Sequence, residues 1–327
     1  MLTLSDLAQD DRAARVVLAM VSSPNDALTR NLLERVSAVE LIVLADGDGP
    51  VPGLDRVEAA VWRDHLHSAD TPDHLAAQIA EASSFRVITP SDPDWPTALN
   101  DLGHRAPYAL WAKGRTELLT QPLPQRITVT GSRADTSYGA HVTDELCGDL
   151  AQSGRTLVAG AAYGIEASAH RAALIRDATT IAVLASGVDR PYPAGHTDLI
   201  DRIAREGLLL SEVPPSVAPT RQRFIDRSRI LAALSGATII VEAGSRSGSL
   251  HTVTEAAQLG RLVGAVPGPV TSAASTGTNL LLQSGHARVI TNGSDIVRIV
   301  EGETSVPSRS VIREGTPHVV SPKSRVL

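Results

Sequence analysis

The chain has 327 residues, a formal net charge of −6, 43% apolar and 20% charged residues, and one cysteine. This length suggests about two domains with a substantial core; the lone Cys147 excludes a disulfide framework and a cysteine-based metal site, and the acidic balance excludes a protein that is basic all over, though not one with a local basic patch. There is no basic-then-apolar leader, and no apolar run nears the roughly 18 residues of a membrane span, so the expectation is a cytoplasmic protein without membrane contact.

Residues 1–85 read as a helical N-terminal domain. Apolar residues recur at three- and four-residue spacing over Asp11–Val21, Asp26–Val36 and Pro72–Ala82, with Asp26 and Thr71 at cap positions. The Gly- and Pro-rich loop 46–53 is expected on the surface. Residues 86–125 read as a Pro-rich connector packing on the core. From Arg126 to about residue 300 the texture changes. Strand-like runs are expected at Ile127–Thr130, Thr156–Val158, Thr180–Leu184, Leu208–Leu210, Thr238–Val241, Leu262–Val266 and Arg288–Ile290. Helical patterns fall between them at His141–Ala151, Ala167–Leu174, Thr197–Ala204 and Leu250–Leu259. Alternating strands and helices predict an α/β fold, a Rossmann-like and mainly parallel sheet with helices on both faces. Residues 301–327, rich in Ser, Pro and Val, read as a flexible tail.

Small and charged residues cluster directly after the predicted strands. Gly131-Ser132-Arg133 follows the first and Gly160 with Tyr163-Gly164 the second; Ser186-Gly187 and Glu212 follow the next two, then 242–249 with Arg246-Ser247-Gly248-Ser249, then Pro267-Gly268. In a parallel sheet these turns share one edge, the carboxyl ends of the strands, where ligands of open α/β sheets bind. Glycines let a ligand approach the backbone, and helix N-termini offer N–H groups to an anion. Residues 221–229 carry four arginines against one aspartate, and Phe224 lies among them. With Arg133 and Arg246 they could form a basic pocket in an acidic chain, since guanidinium donors match phosphate geometry. A solvated charge run is the competing reading. His170 and His251 fit either packing or pocket positions, while His65 and His67 lack a further ligand at metal spacing. No nucleophile elbow, phosphate-binding P-loop, H-E-x-x-H pair or G-x-G-x-x-G fingerprint is present, so no cofactor is expected.

These motifs, in this order, resemble the DNA-processing protein A (DprA/Smf) family over residues 86–300. The resemblance rests on 94–99 (DWPTAL), 107–114 (PYALWAKG), 129–133 (VTGSR) with Tyr138-Gly139, and 181–187 with Asp189 and Tyr192-Pro193. It continues through Leu210-Ser211-Glu212 with Pro214-Pro215, 242–249 (EAGSRSGS), 265–268 (AVPG) and 277–281 (GTNLL) with Gly285. It implies a protein that is not an enzyme, binds single-stranded DNA at the sheet edge, hands it to the recombinase RecA in natural transformation or recombination, and forms a homodimer. Carried over by motif, the nucleic-acid contacts would be Gly131, Ser132, Arg133, Gly160, Tyr163, Gly164, Phe224, Arg227, Arg229, Arg246, Ser247, Gly248 and Ser249. The chain departs from the usual pattern at 159–166 (AGAAYGIE), where Tyr163 takes an arginine's place, and at 224–229 (FIDRSR), where Asp226 adds negative charge and Ser228 replaces an asparagine. Two alternatives remain: a sensor of a small nucleotide in stress or phage defence, and a phosphoribohydrolase, whose Pro-Gly-Gly-x-Gly-Thr loop is not recognisable here.

Overall fold

The computed structural model describes residues 2–24 and 26–302. The tail expected at 301–327 therefore lies, from residue 303 onward, outside the described residues. The chain opens with six helices: α1 (Leu4–Leu7), α2 (Asp11–Val21), α3 (Ala27–Leu33), α4 (Ala38–Asp46), α5 (Arg56–Ser68) and α6 (Pro72–Ala82). Their starts follow side-chain capping chemistry. Asp26 accepts from the N–H groups of Leu28 and Thr29, and Thr71 accepts from His74 N–H, each satisfying donors that a helix start leaves orphaned. Their apolar stripes meet in one cluster that includes Leu18, Leu41, Ile42, Trp62 and Leu66. Tyr108, from the connector, inserts into that cluster; its hydroxyl lies 3.2 Å from Ser22 Oγ and the Arg30 guanidinium sits 3.8 Å from its ring centre.

The connector does more than pack. It supplies β1 (Arg86–Ile88) and β2 (Leu110–Gly114), two short antiparallel strands that complete one edge of the sheet. The prolines between them had masked these runs. There follow β3 (Arg126–Thr130), α7 (Ser137–Gln152), β4 (Thr156–Ala159), α8 (Ile165–Ile175), β5 (Thr180–Leu184), α9 (Thr197–Glu206) and β6 (Leu208–Ser211). Then come α10 (Arg221–Ala233), β7 (Ala237–Ile240), α11 (Leu250–Gln258), β8 (Leu262–Ala265), α12 (Thr276–Gln283), β9 (Arg288–Val289) and α13 (Gly293–Val300). Strand order is β1-β2-β6-β5-β4-β3-β7-β8-β9, with every pair from β6 to β9 parallel.

Strand side chains alternate between the two faces, as the two-residue period demands. Ile181, Val183, Leu208 and Leu210 pack with Ile230, Leu231 and Leu234 of the α10 region, while Ala182, Leu184 and Leu209 pack toward Ile200 and Ile203 of α9. Central strands buried on both faces read as continuous apolar runs, which is why their positions were legible. The order places β3 beside β7, although the chain leaves β3 towards β4 and leaves β7 towards β8. The crevice at the carboxyl ends of these two strands is the topological switch point, where open α/β sheets take their ligands.

Candidate nucleic-acid interface

At this switch point the β3–α7 and β7–α11 loops are stitched together by backbone. Ser132 N–H donates to Glu242 O at 2.6 Å, and Val241 N–H to Thr130 O at 3.1 Å. The buried Glu242 carboxylate accepts from Thr136 N–H at 2.9 Å and Thr136 Oγ1 at 2.8 Å, tying the start of α7 to the end of β7. The third wall comes from the β4–α8 loop. Ile165 N–H donates to Ser132 O at 3.1 Å, and Gly164 sits at φ +76° against that same carbonyl. A Cβ at Gly164 would collide with Ser132 O, so glycine is required by both backbone angle and space.

The loops enclose an open cavity of about 620 Å³, closed on its remaining side by the first two turns of α10. Four arginines line it: Arg133, Arg221, Arg227 and Arg246, against one carboxylate, Glu166. Gly131, Ser132, Ser247, Gly248 and Ser249 line it as well, with Phe224, Ser228 and His251. Phe224 is held between two cations, with the Arg133 guanidinium 4.5 Å and that of Arg227 5.3 Å from its ring centre. Arg227 is buried and positioned from below: it donates to Gly160 O at 2.6 Å and lies 3.4 Å from both Glu166 carboxylate oxygens. A Cβ at Gly160 would overlap its guanidinium, so this glycine serves the cavity by making room for an arginine. Glu166 is itself fixed by Thr130 Oγ1 and Ala162 N–H, each at 3.1 Å. Arg133 and Arg246, by contrast, are exposed. Helices α8 and α11 both begin at this edge without a side-chain N-cap. Exposed guanidinium groups and outward backbone N–H donors together suit phosphate oxygens.

Several expectations need correction or addition. Arg229 does not reach the cavity. Position 229 falls on the far side of α10, where the residue is 1% exposed; it forms a two-pronged ion pair with Glu212, at 2.8 and 2.5 Å, and donates to the backbone oxygens of Arg105 and Asp226. Burial is the largest single influence and opposes its charge, but the charge and hydrogen bond of Glu212, joined by the charges of Asp226 and Glu255, together raise the guanidinium pKa. Glu212, expected among the edge loops, is taken up in the same pair. Tyr163 also lies outside the cavity lining, turned toward His196 with ring centres 4.4 Å apart. Asp226 points away as well and accepts from Gln222 at 3.0 Å, so its charge does not line the cavity. Arg221, Glu166 and His251 are among the lining residues that were not singled out as contacts. Assigning a helix from Arg221 would have found the first, because residues 221, 224, 227 and 228 then share one face. The 277–281 motif is structural: Asn279 donates to Gly268 O and accepts from Gly268 N–H, both at 3.1 Å, bracing the loop after β8. His170 is a packing residue, fully buried with Nδ1 2.8 Å from Thr180 Oγ1.

The described residues include no helix long and apolar enough to cross a membrane. Residues 86–301 match the family model of the DNA recombination-mediator protein A. The chain is 48% identical over 277 residues to a Mycobacterium tuberculosis protein assigned as DNA processing protein DprA, covering 80% of this chain and 71% of that one. It is 36% identical over 224 residues to DNA processing protein DprA of Streptococcus pneumoniae, covering 68% of this chain and 76% of the relative. The X-ray structure of the S. pneumoniae protein superposes with a TM-score of 0.73 at 30% identity, over 90% of this chain and 97% of that one. A Helicobacter pylori DNA processing protein A, solved to describe its single-stranded DNA binding mode, superposes at 0.60 with 31% identity, over 68% of this chain and 98% of that one. A family model matched across two thirds of the chain, on the sheet and loops that build the crevice, makes this chain a member of the DNA recombination-mediator protein A (DprA/Smf) family.

Proposed function

We propose that this chain binds single-stranded DNA in the crevice between the β3 and β7 loops, protects it, and helps load RecA in natural transformation or recombination, without catalysing a covalent step. The observation that carries the reading is the convergence of four arginines, from two loops and one helix, on one open cavity in a chain of net charge −6. The H. pylori relative's single-stranded DNA binding supports it. The cavity contacts are then Gly131, Ser132, Arg133, Phe224, Arg227, Arg246, Ser247, Gly248 and Ser249, with Gly160 and Gly164 shaping the walls. Residues 1–85 serve as a separate helical domain, 86–125 as the connector and 126–300 as the binding domain, and the molecule works as a homodimer in the cytoplasm. Backbone-dominated binding has two signatures: weak sequence preference and affinity that falls steeply with salt.

Fluorescence anisotropy with a labelled poly-dT oligonucleotide, from low to physiological salt and against a duplex control, tests the reading. Single-strand preference with a steep salt dependence supports it. No binding at low salt overturns it.

A further inference from the structure

The sequence holds four tyrosines. Tyr108 is buried, but Tyr138, Tyr163 and Tyr192 are 38%, 49% and 47% exposed, and all three stand at the carboxyl edge of the sheet. They divide between its two directions. Tyr138, in the first turn of α7, donates its hydroxyl to Pro267 O at 2.6 Å and so braces the loop after β8. Tyr163 and Tyr192 lie on the opposite side of the crevice, in the loops after β4 and β5.

Their neighbours fix both rings in place while leaving them half in water. Tyr192 packs on Phe224, with ring centres 5.8 Å apart and planes at 59°. Phe224 is the ring already held by Arg133 and Arg227. A continuous path thus runs from the arginine cavity over Phe224 to Tyr192. Tyr163 rests edge-on against His196 at 64°, and His196 is 4% exposed and anchored through Nδ1 to Ala161 O at 3.1 Å. An aromatic ring left half exposed forgoes much of the stabilisation its burial would bring. A ring already ordered in that position offers a flat surface at little further entropy cost, and nucleobases stack on such surfaces whatever their sequence.

We infer that Tyr192, with Tyr163 in the loop after the neighbouring strand, forms a base-stacking shelf for the unpaired nucleobases adjoining the phosphates held at Arg133. The strand then leaves the cavity across the carboxyl ends of β4 and β5, not along β8. This inference rests on the single-stranded DNA reading above. It adds a direction to the strand and a contact that is blind to salt.

The test uses the full chain and labelled dT oligonucleotides, either intact or carrying abasic sites, with the thermal midpoint of each variant measured alongside. Tyr192→Ala should bind intact dT about tenfold more weakly and bind the abasic oligonucleotide as the wild type does, with the salt slope unchanged. Tyr192→Phe, which keeps the ring, should restore wild-type affinity. If Tyr192→Ala binds intact dT like the wild type, or if its loss is as large on abasic DNA, the shelf is wrong while the arginine cavity stands. If the wild type binds no single strand, or if Arg133→Ala changes nothing, the underlying reading falls and the shelf with it.

Discussion

The two sides of helix α10 carry the same residue type to opposite ends. On one side, Arg221 and Arg227 flank Phe224 and Ser228 and face an open cavity. On the other, only two residues after Arg227, Arg229 disappears into the protein against Glu212 and the backbone of Arg105. Arg223 also leaves the cavity face and donates to Ala218 O. A count of four arginines in nine residues is therefore a poor measure of charge offered to a ligand. What decides is which face of the helix carries the side chain and how closely a carboxylate already holds it. Arg229 has one at 2.8 and 2.5 Å, Arg227 a more distant one at 3.4 Å, and Arg133 has an aromatic ring in its place.

The largest effect that could break this comparison comes from Arg229. Arg229→Ala strands the Glu212 carboxylate, which is 11% exposed, and removes donors from two backbone carbonyls. Losing one partner of a buried pair costs about 3–5 kcal/mol. Urea denaturation should show that loss, while single-strand affinity per folded molecule stays unchanged. Replacing both partners, with Arg229→Met and Glu212→Leu, should recover much of the stability, because the desolvation penalty goes with the charges. A weakened DNA contact in the doubly substituted protein would show that this pair belongs to the interface after all.

The same distinction explains what was legible beforehand. The central strands and the helices α2 and α6 were readable because each has a single environment, giving an uninterrupted apolar run or a clean three-to-four period. Helix α10 has no such signature. It puts Arg221, Phe224 and Arg227 on a cavity, Asp226 beside Gln222 and Arg229 in the internal pair with Glu212, so polar residues occur all round. The glycines and Arg133 could be found because turns after parallel strands share one edge. Separating Arg227 from Arg229 needed the helix phase, and recognising β1 and β2 needed the partner strand.

Buried His170 extends the comparison to a group that the interior keeps neutral. Burial pushes its pKa down from 6.5 to about 4, with Glu166, Arg227, His196 and Arg171 contributing smaller influences. Between these values the unfolded chain binds a proton that the folded chain refuses. Stability is therefore full above about pH 6.5, declines as pH falls, and has lost this contribution below about pH 4, on the order of 3 kcal/mol in all. Urea midpoints from pH 7.5 to 4 should show the decline, and His170→Gln should flatten that part of the curve. An unchanged slope in His170→Gln would assign the decline to other groups.

A smaller effect is expected where the backbone, not charge, shapes the crevice. Gly164 combines φ +76° and ψ −132° with direct contact on the Ser132 carbonyl. Gly164→Ala should cost about 1–3 kcal/mol through strain at a position other residues rarely adopt. Because Arg133 follows Ser132, the variant should also lose DNA affinity. Both losses belong in one variant if the loops act as a unit. A destabilised protein with intact affinity would separate the wall from the contact.

The smallest expected change in stability belongs to Arg133, and it is the other half of the contrast with Arg229. Its guanidinium has a ring face and solvent around it, and no carboxylate pairs with it among the described residues. Exposed side chains without such partners usually change stability by no more than about 0.5 kcal/mol when truncated. Arg133→Ala should therefore melt like the wild type, yet reduce the slope of log affinity against log salt by about one, the signature of a single lost phosphate contact. Arg229→Ala should do the reverse, lowering stability and leaving the slope alone. Two arginines that exchange those outcomes would refute the division of α10 into a ligand face and a structural face. The predicted pair of outcomes would locate the charge available to DNA on the side where the fold leaves it unanswered.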